Sequence, residues 1–454
     1  MCTHKSDKRI IDKLYHQAKL NHYVQGLLIA LLCLVCTHAY AALTLELTQG
    51  VVAALPIAVV PFAGQPADNT NNISDIISQD LQNSGYFRVI PAKNYQQLPH
   101  QVGDVHYGYW RNLNIDNVLV GDIVPLSHHR YQVKFALIDI PQQKVLFNRQ
   151  ITVTASEYRR LAHYISDLIY NKLTGIPGIF STRIAYVVVQ RTANKPTRYI
   201  LEVADADGYG AKPLLISNEP IMSPAWSPDG KQIAYVSFEN NRSQIYVTEV
   251  ATGKRRKIAA FNGINGAPAW SPDGTRLALV LSKTGHPKIY TLDLASGHLQ
   301  QVTEGWSIDT EPDWSPDGQS LLFTSNRGGK PQVYQVNLLT QQVKRVTFKG
   351  NYNASAQFTQ DGKSLVLLHR QNNRFSIALL DLGSDRLEEL SRSDADESPS
   401  ISPNGKMILF ATRDQGQGIL SVISTDGRIK LRLPARQGDV QEPAWSPYLT
   451  RAKS

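Results

Sequence analysis

The sequence predicts an α/β N-terminal domain followed by an all-β six-bladed β-propeller that the C-terminal strand closes. Three observations lead to this fold class. A motif built on Trp226 recurs at Trp270 and Trp314, 44 residues apart, through the second half of the 454-residue chain. The first half lacks this period and alternates strand-like with helix-like runs. The repeat array begins and ends on incomplete units that complement each other.

Residues 1–41 are predicted to be a cleaved export signal. Basic residues precede an apolar run from Val24 to Cys36, and Ala39-Tyr40-Ala41 then places small residues where a signal peptidase reads them. The run is too short for a stable membrane anchor, so the mature chain is expected to have no transmembrane segment. Alternatives are a buried core helix and a lipoprotein anchor at Cys36, which Val35 disfavours because a small residue is needed there. The long basic region leaves open a start codon downstream of Met1.

Cysteine and charge distribution exclude several kinds of site. All three cysteines, Cys2, Cys33 and Cys36, lie in the predicted signal, so the mature chain should have no disulfide and no cysteine metal ligand. The formal net charge is +9, but the dense basic run at 254–257 falls in a predicted outer strand. Such a run is typical of a solvated edge, and nucleic acid is not an expected partner.

Residues 42–54 are predicted to form an N-terminal partner-binding segment. Ala42 to Gly50 alternate between apolar and polar side chains. This pattern fits an edge strand of the same protein, or a free tail that adds to a partner's sheet. Both alternatives remain open from the sequence.

Residues 55–178 are predicted to form the small α/β domain. Short apolar runs indicate strands at 56–62, 87–90, 117–120 and 131–135. Apolar residues at helical spacing indicate helices from Asn72 to Gln82 and from about Glu157 to Leu173. Gly175-Ile176-Pro177-Gly178 then breaks the second helix and marks the predicted domain boundary.

Residues 179–454 are predicted to form the propeller because each repeat contains the parts of one blade. The motif reads Trp-Ser-Pro-Asp-Gly at 226–230, 270–274 and 314–318, and recurs more loosely from Phe358, Ile401 and Trp445. Pro, Asp or Asn, and Gly are the residues of a tight turn. Two β-runs and a polar outer strand follow each motif, and four short strands per repeat are typical of a propeller blade.

The ends of the array indicate six blades. The runs at 183–188 and 199–203 look like the second and third strands of a blade whose motif strand is absent, whereas little chain follows the motif at Trp445. The C-terminal strand is therefore predicted to supply the innermost strand of the first blade. This closure removes the free sheet edges of an open array.

Motifs for catalysis or metal binding are absent from the sequence. The chain contains no G-x-S-x-G, H-E-x-x-H, P-loop or EF-hand loop. His128-His129 is interpreted as part of an exposed hairpin loop, because no third ligand lies at suitable spacing. The repeated Asp229, Asp273 and Asp317 are interpreted as turn residues separated by whole blades, and the motif tryptophans as core packing. The protein is therefore expected to be no enzyme and to hold no metal or cofactor.

The residues just before each motif strand predict a binding face. In a propeller these positions crowd around one mouth of the central channel, where varied side chains share a rigid frame. Acidic residues occupy three of the six stations, namely Glu311, Glu397 and Glu442. Proline suits these positions because the first residue of a strand needs no ladder donor.

The local sequences at the domain junction and the blade motifs resemble the TolB family of the Tol-Pal system. The resemblance covers the mature chain and rests on 173–176, 182–188, 205–209, 222–226, 265–268, 281–285 and 443–449. It implies a periplasmic scaffold that maintains outer-membrane integrity and supports constriction at division. It implies binding of the lipoprotein Pal at the propeller mouth and of TolA through the N-terminal segment. Further outer-membrane or peptidoglycan-associated proteins are additional candidate partners.

Carried over by position, the resemblance implies two sets of contact residues. Those expected to contact Pal are Ser223, Ala267, Thr310, Glu311 and Glu397. Those expected to contact TolA are Ala42, Leu43, Leu45, Glu46 and Leu47. Ile264 stands where the family pattern suggests histidine, so an apolar contact is expected to replace a polar one. The alternative function is a periplasmic propeller hydrolase of the prolyl-oligopeptidase type, disfavoured because no elbow serine follows the propeller.

Overall fold

The computed structural model describes residues 44–47, 54–65, 72–393, 395–434 and 436–449, with only the backbone at 44–47. The predicted signal at 1–41 lies outside the described residues, as do Ala42 and Leu43. Within the described part of the chain, no helix is long and apolar enough to cross a membrane.

The N-terminal α/β region is a five-stranded mixed sheet with helices packed against it. The elements in chain order are β2 (Leu55–Val59), α1 (Ile73–Asn83), β3 (Phe87–Ile90), α2 (Tyr107–Asn112), β4 (Asn117–Pro125), β5 (Arg130–Asp139), β6 (Lys144–Thr154) and α3 (Tyr158–Thr174). The strands have the order β3-β2-β4-β5-β6 in the sheet, with β3, β2 and β4 parallel and β4 to β6 antiparallel.

Local sequence signals fix the ends of the two long helices. Asn72 caps α1 by accepting hydrogen bonds from the backbone N–H groups of Ser74 and Asp75. Glu157 accepts the backbone N–H of Thr154 at 2.9 Å in the short 3₁₀ turn that leads into α3. Gly175, at φ 74°, ends α3 in the left-handed conformation that glycine adopts without strain. The apolar faces of α1 and α3 bury against one side of the sheet.

Six antiparallel blades follow, which confirms the predicted propeller. In each blade the strands run in order from the channel to the rim, and the first blade takes its innermost strand from the C-terminus. Blade 1 contains β30 (Asp439–Trp445), β7 (Arg183–Gln190), β8 (Arg198–Asp205) and β9 (Lys212–Ser217). Blade 2 contains β10 (Ile221–Trp226), β11 (Gln232–Ser237), β12 (Gln244–Glu249) and β13 (Arg255–Ala259). Blade 3 contains β14 (Asn265–Trp270), β15 (Arg276–Leu281), β16 (Lys288–Asp293) and β17 (Leu299–Gln301).

The other three blades repeat this pattern, and blade 6 has one additional strand. Blade 4 contains β18 (Asp309–Trp314), β19 (Ser320–Ser325), β20 (Gln332–Asn337) and β21 (Val343–Arg345). Blade 5 contains β22 (Tyr352–Phe358), β23 (Ser364–Gln371), β24 (Arg374–Asp381) and β25 (Arg386–Glu389). Blade 6 contains β26 (Glu397–Ile401), β27 (Met407–Asp414), β28 (Gln417–Ser424) and β29 (Ile429–Arg432), with β1 (Thr44–Leu47) on its outer edge.

The motif tryptophans join neighbouring blades as well as packing between them. The indole N–H of Trp226 donates to the Ala444 carbonyl of the preceding blade at 3.1 Å, and Trp270 and Trp314 repeat this bond one blade further on. Trp445 instead donates to Thr182 Oγ1 at 2.8 Å, where the propeller chain begins. The ring is thus closed by the ladder between β30 and β7, by apolar packing and by this side-chain hydrogen bond between its two ends.

The predicted division of the chain at 55–178 and 179–454 stays a prediction. The described contacts link the two parts on one side of the propeller. Arg159 on α3 pairs with Asp205 at the end of β8, and Asn404 in the β26–β27 turn donates to the Pro177 carbonyl at 3.0 Å. Both contacts lie at the strand ends opposite the start of the innermost strands.

Candidate binding face

Each of the six innermost strands contains a β-bulge near its start. The ladder register shifts between Met222 and Ala225 in blade 2, and at the equivalent place in every other blade. One non-glycine residue at each bulge has a φ between 42° and 54°, in the left-handed region. These six residues are Ser223, Ala267, Glu311, Ser355, Ser398 and Glu442. Bulges re-aim side chains, and strained backbone of this kind gathers at functional sites.

The bulges correct one detail of the sequence analysis. The short segments that contain these prolines lie within the innermost strands and not in loops before them. Proline follows the left-handed residue in five blades, and Ala356 takes its place in blade 5. Proline is tolerated there because the bulge interrupts the ladder, so no backbone N–H is needed.

The bulges surround the central channel, which has a volume of about 810 Å³. Ser223, Ala267 and Glu311 line it, together with Glu442. Thr310 and Glu397 each lie one residue before a bulge and are not among the described residues that line this cavity. Glu397 is exposed at the mouth, and Thr310 is half-buried. The five residues predicted to contact Pal thus lie on the same face of the propeller, three of them lining the channel and two of them one residue before a bulge. Their role stays a prediction.

Glu311 already has hydrogen-bond partners within the protein. Its Oε2 accepts bonds from Thr324 Oγ1 at 2.7 Å and from the backbone N–H of Ser355 at 2.9 Å, and its Oε1 accepts from Ser355 Oγ at 2.7 Å. Ser355 belongs to the next blade. Glu311 therefore holds the bulge of blade 5 in place, so replacing it changes the shape of the mouth as well as its charge.

The channel contains carboxyl groups that tend to keep their protons. Burial, with the nearby charges of Glu397 and Glu311, raises the pKa of Glu442 to about 7, although its carboxylate accepts the backbone N–H of Ser223 at 3.3 Å. Burial likewise raises the pKa of Asp313 to about 7. Deprotonation places several negative charges close together in the channel, so its charge varies near neutral pH.

A crescent of exposed apolar side chains borders the mouth over blades 2 to 5. We define it as Phe261, Ile264, Trp306, Ile308 and Phe348, which lie in the loops that lead into the innermost strands. Their exposed fractions are 36%, 50%, 87%, 47% and 69% in that order. A patch of large exposed apolar side chains marks an interaction surface. Sequence reasoning identified only Ile264, because the other residues lie in loops outside the repeated motif.

The remaining candidate residues have structural roles. Asp229 accepts the Ser227 hydroxyl at 2.7 Å and the backbone N–H of Lys231 at 3.0 Å, which stabilises the motif turn at the opposite end of the strand. Equivalent bonds recur at Asp273 and Asp317. His128 and His129 are exposed in the β4–β5 hairpin.

Part of the predicted TolA-binding segment adds a strand to blade 6. Strand β1 pairs antiparallel with β29, from Thr44 opposite Arg432 to Leu47 opposite Ile429. Leu45, Glu46 and Leu47 lie in this strand, whereas Ala42 and Leu43 lie outside the described residues. Of the two alternatives left open by the sequence, the structure shows the edge strand.

Comparison with known proteins gives consistent matches over most of the chain. The family model of the TolB amino-terminal domain matches residues 43–146, and that of the TolB beta propeller domain matches residues 170–449. The Tol-Pal system protein TolB of Coxiella burnetii is 62% identical over 434 residues, covering 94% of this chain and 99% of that protein. The corresponding protein of Nitrosococcus oceani is 58% identical over 424 residues, covering 93% and 98%. The crystal structure of TolB from Acinetobacter baumannii superimposes with a TM-score of 0.82 at 41% identity, covering 90% of this chain and all of that one.

Proposed function

This chain belongs to the TolB family, and we propose from that premise that it is a periplasmic adaptor with two binding regions. As a member of this family it is a non-catalytic, envelope-associated scaffold, and the hydrolase alternative is not proposed. In the proposal, the propeller mouth binds Pal and the segment 42–54 binds TolA. The complex maintains outer-membrane integrity and supports constriction during division.

The observation that carries the Pal proposal is the apolar crescent beside the six-bulge mouth. Protein interfaces gain most of their affinity from a few large side chains, tryptophan above all. Trp306 is 87% exposed, and the His286 ring lies edge-on to it at 5.5 Å. The α/β region contacts the other end of the propeller, so the crescent is accessible to a partner.

In this proposal, the polar groups at the mouth determine the orientation in which Pal binds. Glu397 is an exposed residue one position before its bulge, and partial desolvation of its carboxyl raises its pKa above the ordinary value by more than the charge of Arg413 lowers it. Glu311 acts indirectly because its carboxylate is held by Thr324 and Ser355. We therefore place Glu397 among direct contacts and Glu311 among residues that shape the mouth.

The TolA proposal rests on the geometry of β1. A strand added to a sheet edge is held mainly by main-chain hydrogen bonds, and any other sheet edge can offer the same bonds. TolA and blade 6 would then compete for the same four residues. Blade 6 also carries Glu397 and Ser398 at the mouth, so Pal binding is proposed to bias the availability of β1. Such coupling must act equally in both directions.

The test of the Pal site compares variants that differ in location and not in exposure. Trp306→Ala is expected to weaken binding of purified Pal by roughly 30-fold or more in calorimetric titration, as for the loss of about 2 kcal/mol at a hot spot. Leu339→Ala is the control, because Leu339 is 91% exposed in the β20–β21 turn at the far end of blade 4. Equal Pal affinity for both variants would refute the mouth as the Pal site.

The second binding region is tested with a peptide. A TolA peptide should bind the mature chain and should fail to bind a chain that begins at residue 55. Its affinity with and without saturating Pal measures the coupling. Equal affinities would exclude the coupling and leave the two binding sites standing, whereas a peptide that binds the shortened chain would exclude the TolA site itself.

A further inference from the structure

A cluster of five charged or titratable side chains joins the α/β region to blade 1. Asp80 comes from α1, Arg159 and His163 come from α3, and Asp205 and Asp207 come from the end of β8 and the turn after it. The Arg159 guanidinium donates to Asp205 Oδ2 at 2.8 Å and also to Asp207 Oδ2. The Asp207 carboxylate in turn accepts the backbone N–H of Tyr209 at 3.1 Å, which fixes the turn.

His163 is the buried centre of this cluster, with 3% of its surface exposed. Its Nδ1 lies 2.8 Å from Asp80 Oδ2, and this bond sets the orientation of the ring. Its Nε2 has no hydrogen-bond partner among the described residues. That nitrogen lies 3.9 Å from Asp205 Oδ2 and 4.0 Å from Asp207 Oδ2, too far for hydrogen bonds. His163, Asp80 and Asp207 line a cavity of about 70 Å³ between the two parts of the protein.

We propose that this junction binds a divalent transition-metal ion through His163 Nε2 and the carboxylates of Asp205 and Asp207. Imidazole and carboxylate ligands together suit ions such as Zn²⁺. Bonds of about 2.0–2.2 Å to nitrogen and oxygen place neighbouring ligand atoms roughly 3.3 Å apart. The observed separations therefore need to shorten by only a few tenths of an ångström per ligand.

Asp80 supplies the outer contact that such sites require. A metal-bound histidine almost always donates its other ring N–H to a carboxylate, which fixes the tautomer and the ring orientation. Asp80 makes this contact with Nδ1, and the ligand atoms of Asp80, His163 and Asp207 lie within 4.8 Å of one another. We therefore treat Asp80 as a positioning residue and not as a ligand.

The charge of the cluster favours a cation. Three carboxylates face one guanidinium, so the cluster carries two excess negative charges when His163 is neutral, and one divalent ion balances them. Arg159 keeps its place on the carboxylates by lying over the Tyr209 ring at 4.8 Å.

The proposed ion would connect the two parts of the protein. His163 belongs to the α/β region, whereas Asp205 and Asp207 belong to blade 1. Binding would therefore restrict motion between them, a property that does not depend on which protein occupies the propeller mouth. Because no cysteine lies outside the first 36 residues, thiolates do not compete for the ion.

The test is calorimetric titration of ZnCl₂ into the chelator-treated mature chain. One ion should bind per chain, His163→Gln should abolish this binding, and Asp80→Asn should weaken it by about 10- to 100-fold. The control is the His128→Ala/His129→Ala double variant, which removes the exposed histidine pair and should leave the binding unchanged. Circular dichroism verifies that each variant is folded.

A second measurement keeps the proposal testable if the His163→Gln variant does not fold. Co²⁺ bound by one imidazole and carboxylates should give visible d–d absorption that Asp205→Asn changes, since Asp205 is partly exposed and its replacement is nearly isosteric. Absence of Zn²⁺ binding to the mature chain overturns the proposal. Binding that survives His163→Gln and disappears in the double variant also overturns it, because the ion would then sit on the exposed pair.

Discussion

The same substitution at two tryptophans of this chain should change the stability of the protein by very different amounts. Trp445 lies on the closing strand β30, is 8% exposed and packs in the core shared by blades 6 and 1. Trp306 lies on the crescent and is 87% exposed. Trp445→Ala is expected to lower the free energy of unfolding of the propeller strongly, whereas Trp306→Ala should leave it nearly unchanged.

The magnitude for Trp445 follows from burial and from one hydrogen bond. A buried aromatic side chain removes about 150–250 Å² from water, and truncating one to alanine costs about 3–5 kcal/mol. That range includes the bond from its indole N–H to Thr182 Oγ1, worth about 1 kcal/mol. Trp445→Phe keeps most of the packing and loses that bond, so it should cost about 1–2 kcal/mol. Trp306→Ala should fall within about 0.5 kcal/mol of the unchanged protein.

Urea unfolding followed by far-ultraviolet circular dichroism measures these differences, with each transition extrapolated linearly to zero denaturant. The reasoning is refuted if Trp445→Ala loses less than about 1 kcal/mol, since blade closure would then not depend on this side chain. It is also refuted if Trp306→Ala is as destabilising as Trp445→Ala. Together with the Pal titration, the two variants distinguish a residue that stabilises the closed propeller from a residue proposed to bind a partner.

Three further predictions use the same unfolding assay. The pKa of Glu442, raised to about 7 by burial, means that the folded protein holds this proton more tightly than the unfolded chain, so stability falls as pH rises through 4.5 to 7. Glu442→Gln should therefore gain roughly 2–3 kcal/mol more at pH 8 than at pH 5, and a pH-independent difference would contradict this. Ala267→Gly, at φ 42°, should be neutral or stabilise by up to about 1 kcal/mol, whereas Ala269→Gly in the regular ladder should cost about 1 kcal/mol. Gly85→Ala should cost about 2 kcal/mol or more, because its Cβ would meet Ile429 Cγ1 at 2.4 Å, and Gly253→Ala, with a similar φ and open space, should cost less.

The propeller was predictable because its signals are local and repeated. Each motif turn is specified within five residues, as the Ser227–Asp229 hydrogen bond shows, and the 44-residue period then fixes the order of the strands. The closing strand was predictable because the missing strand before Arg183 and the surplus strand at Trp445 are two parts of one blade. These inferences need no knowledge of long-range contacts.

The bulges and the junction cluster depend on contacts that the sequence does not display. A bulge is a register shift between two strands, and the pattern of β10 alone shows only a proline near its start. Asp80, His163 and Asp207 lie on three distant segments, so no ligand spacing within one segment reveals them. For the same reason, the sequence shows Glu311 only as an acidic residue at the mouth, whereas its bonds to Thr324 and Ser355 exist only in the folded protein.

Blade 6 is where the two proposed binding regions approach one another through a continuous sheet. Its innermost strand β26 carries Glu397 and Ser398 at the mouth, and its fourth strand β29 pairs with β1. A closed ring resists bending of a single blade, because each innermost strand is also bonded to its neighbours, as Trp445 N is to Ser400 Oγ at 2.9 Å. A shift at the mouth would therefore reach β29 mainly as a change in twist across the three intervening ladders. Main-chain pairing depends on twist and register, and β1 is a short strand of four residues. This is the physical reason to expect that occupancy of the mouth alters the affinity of blade 6 for β1, and hence the exposure of the segment proposed to bind TolA.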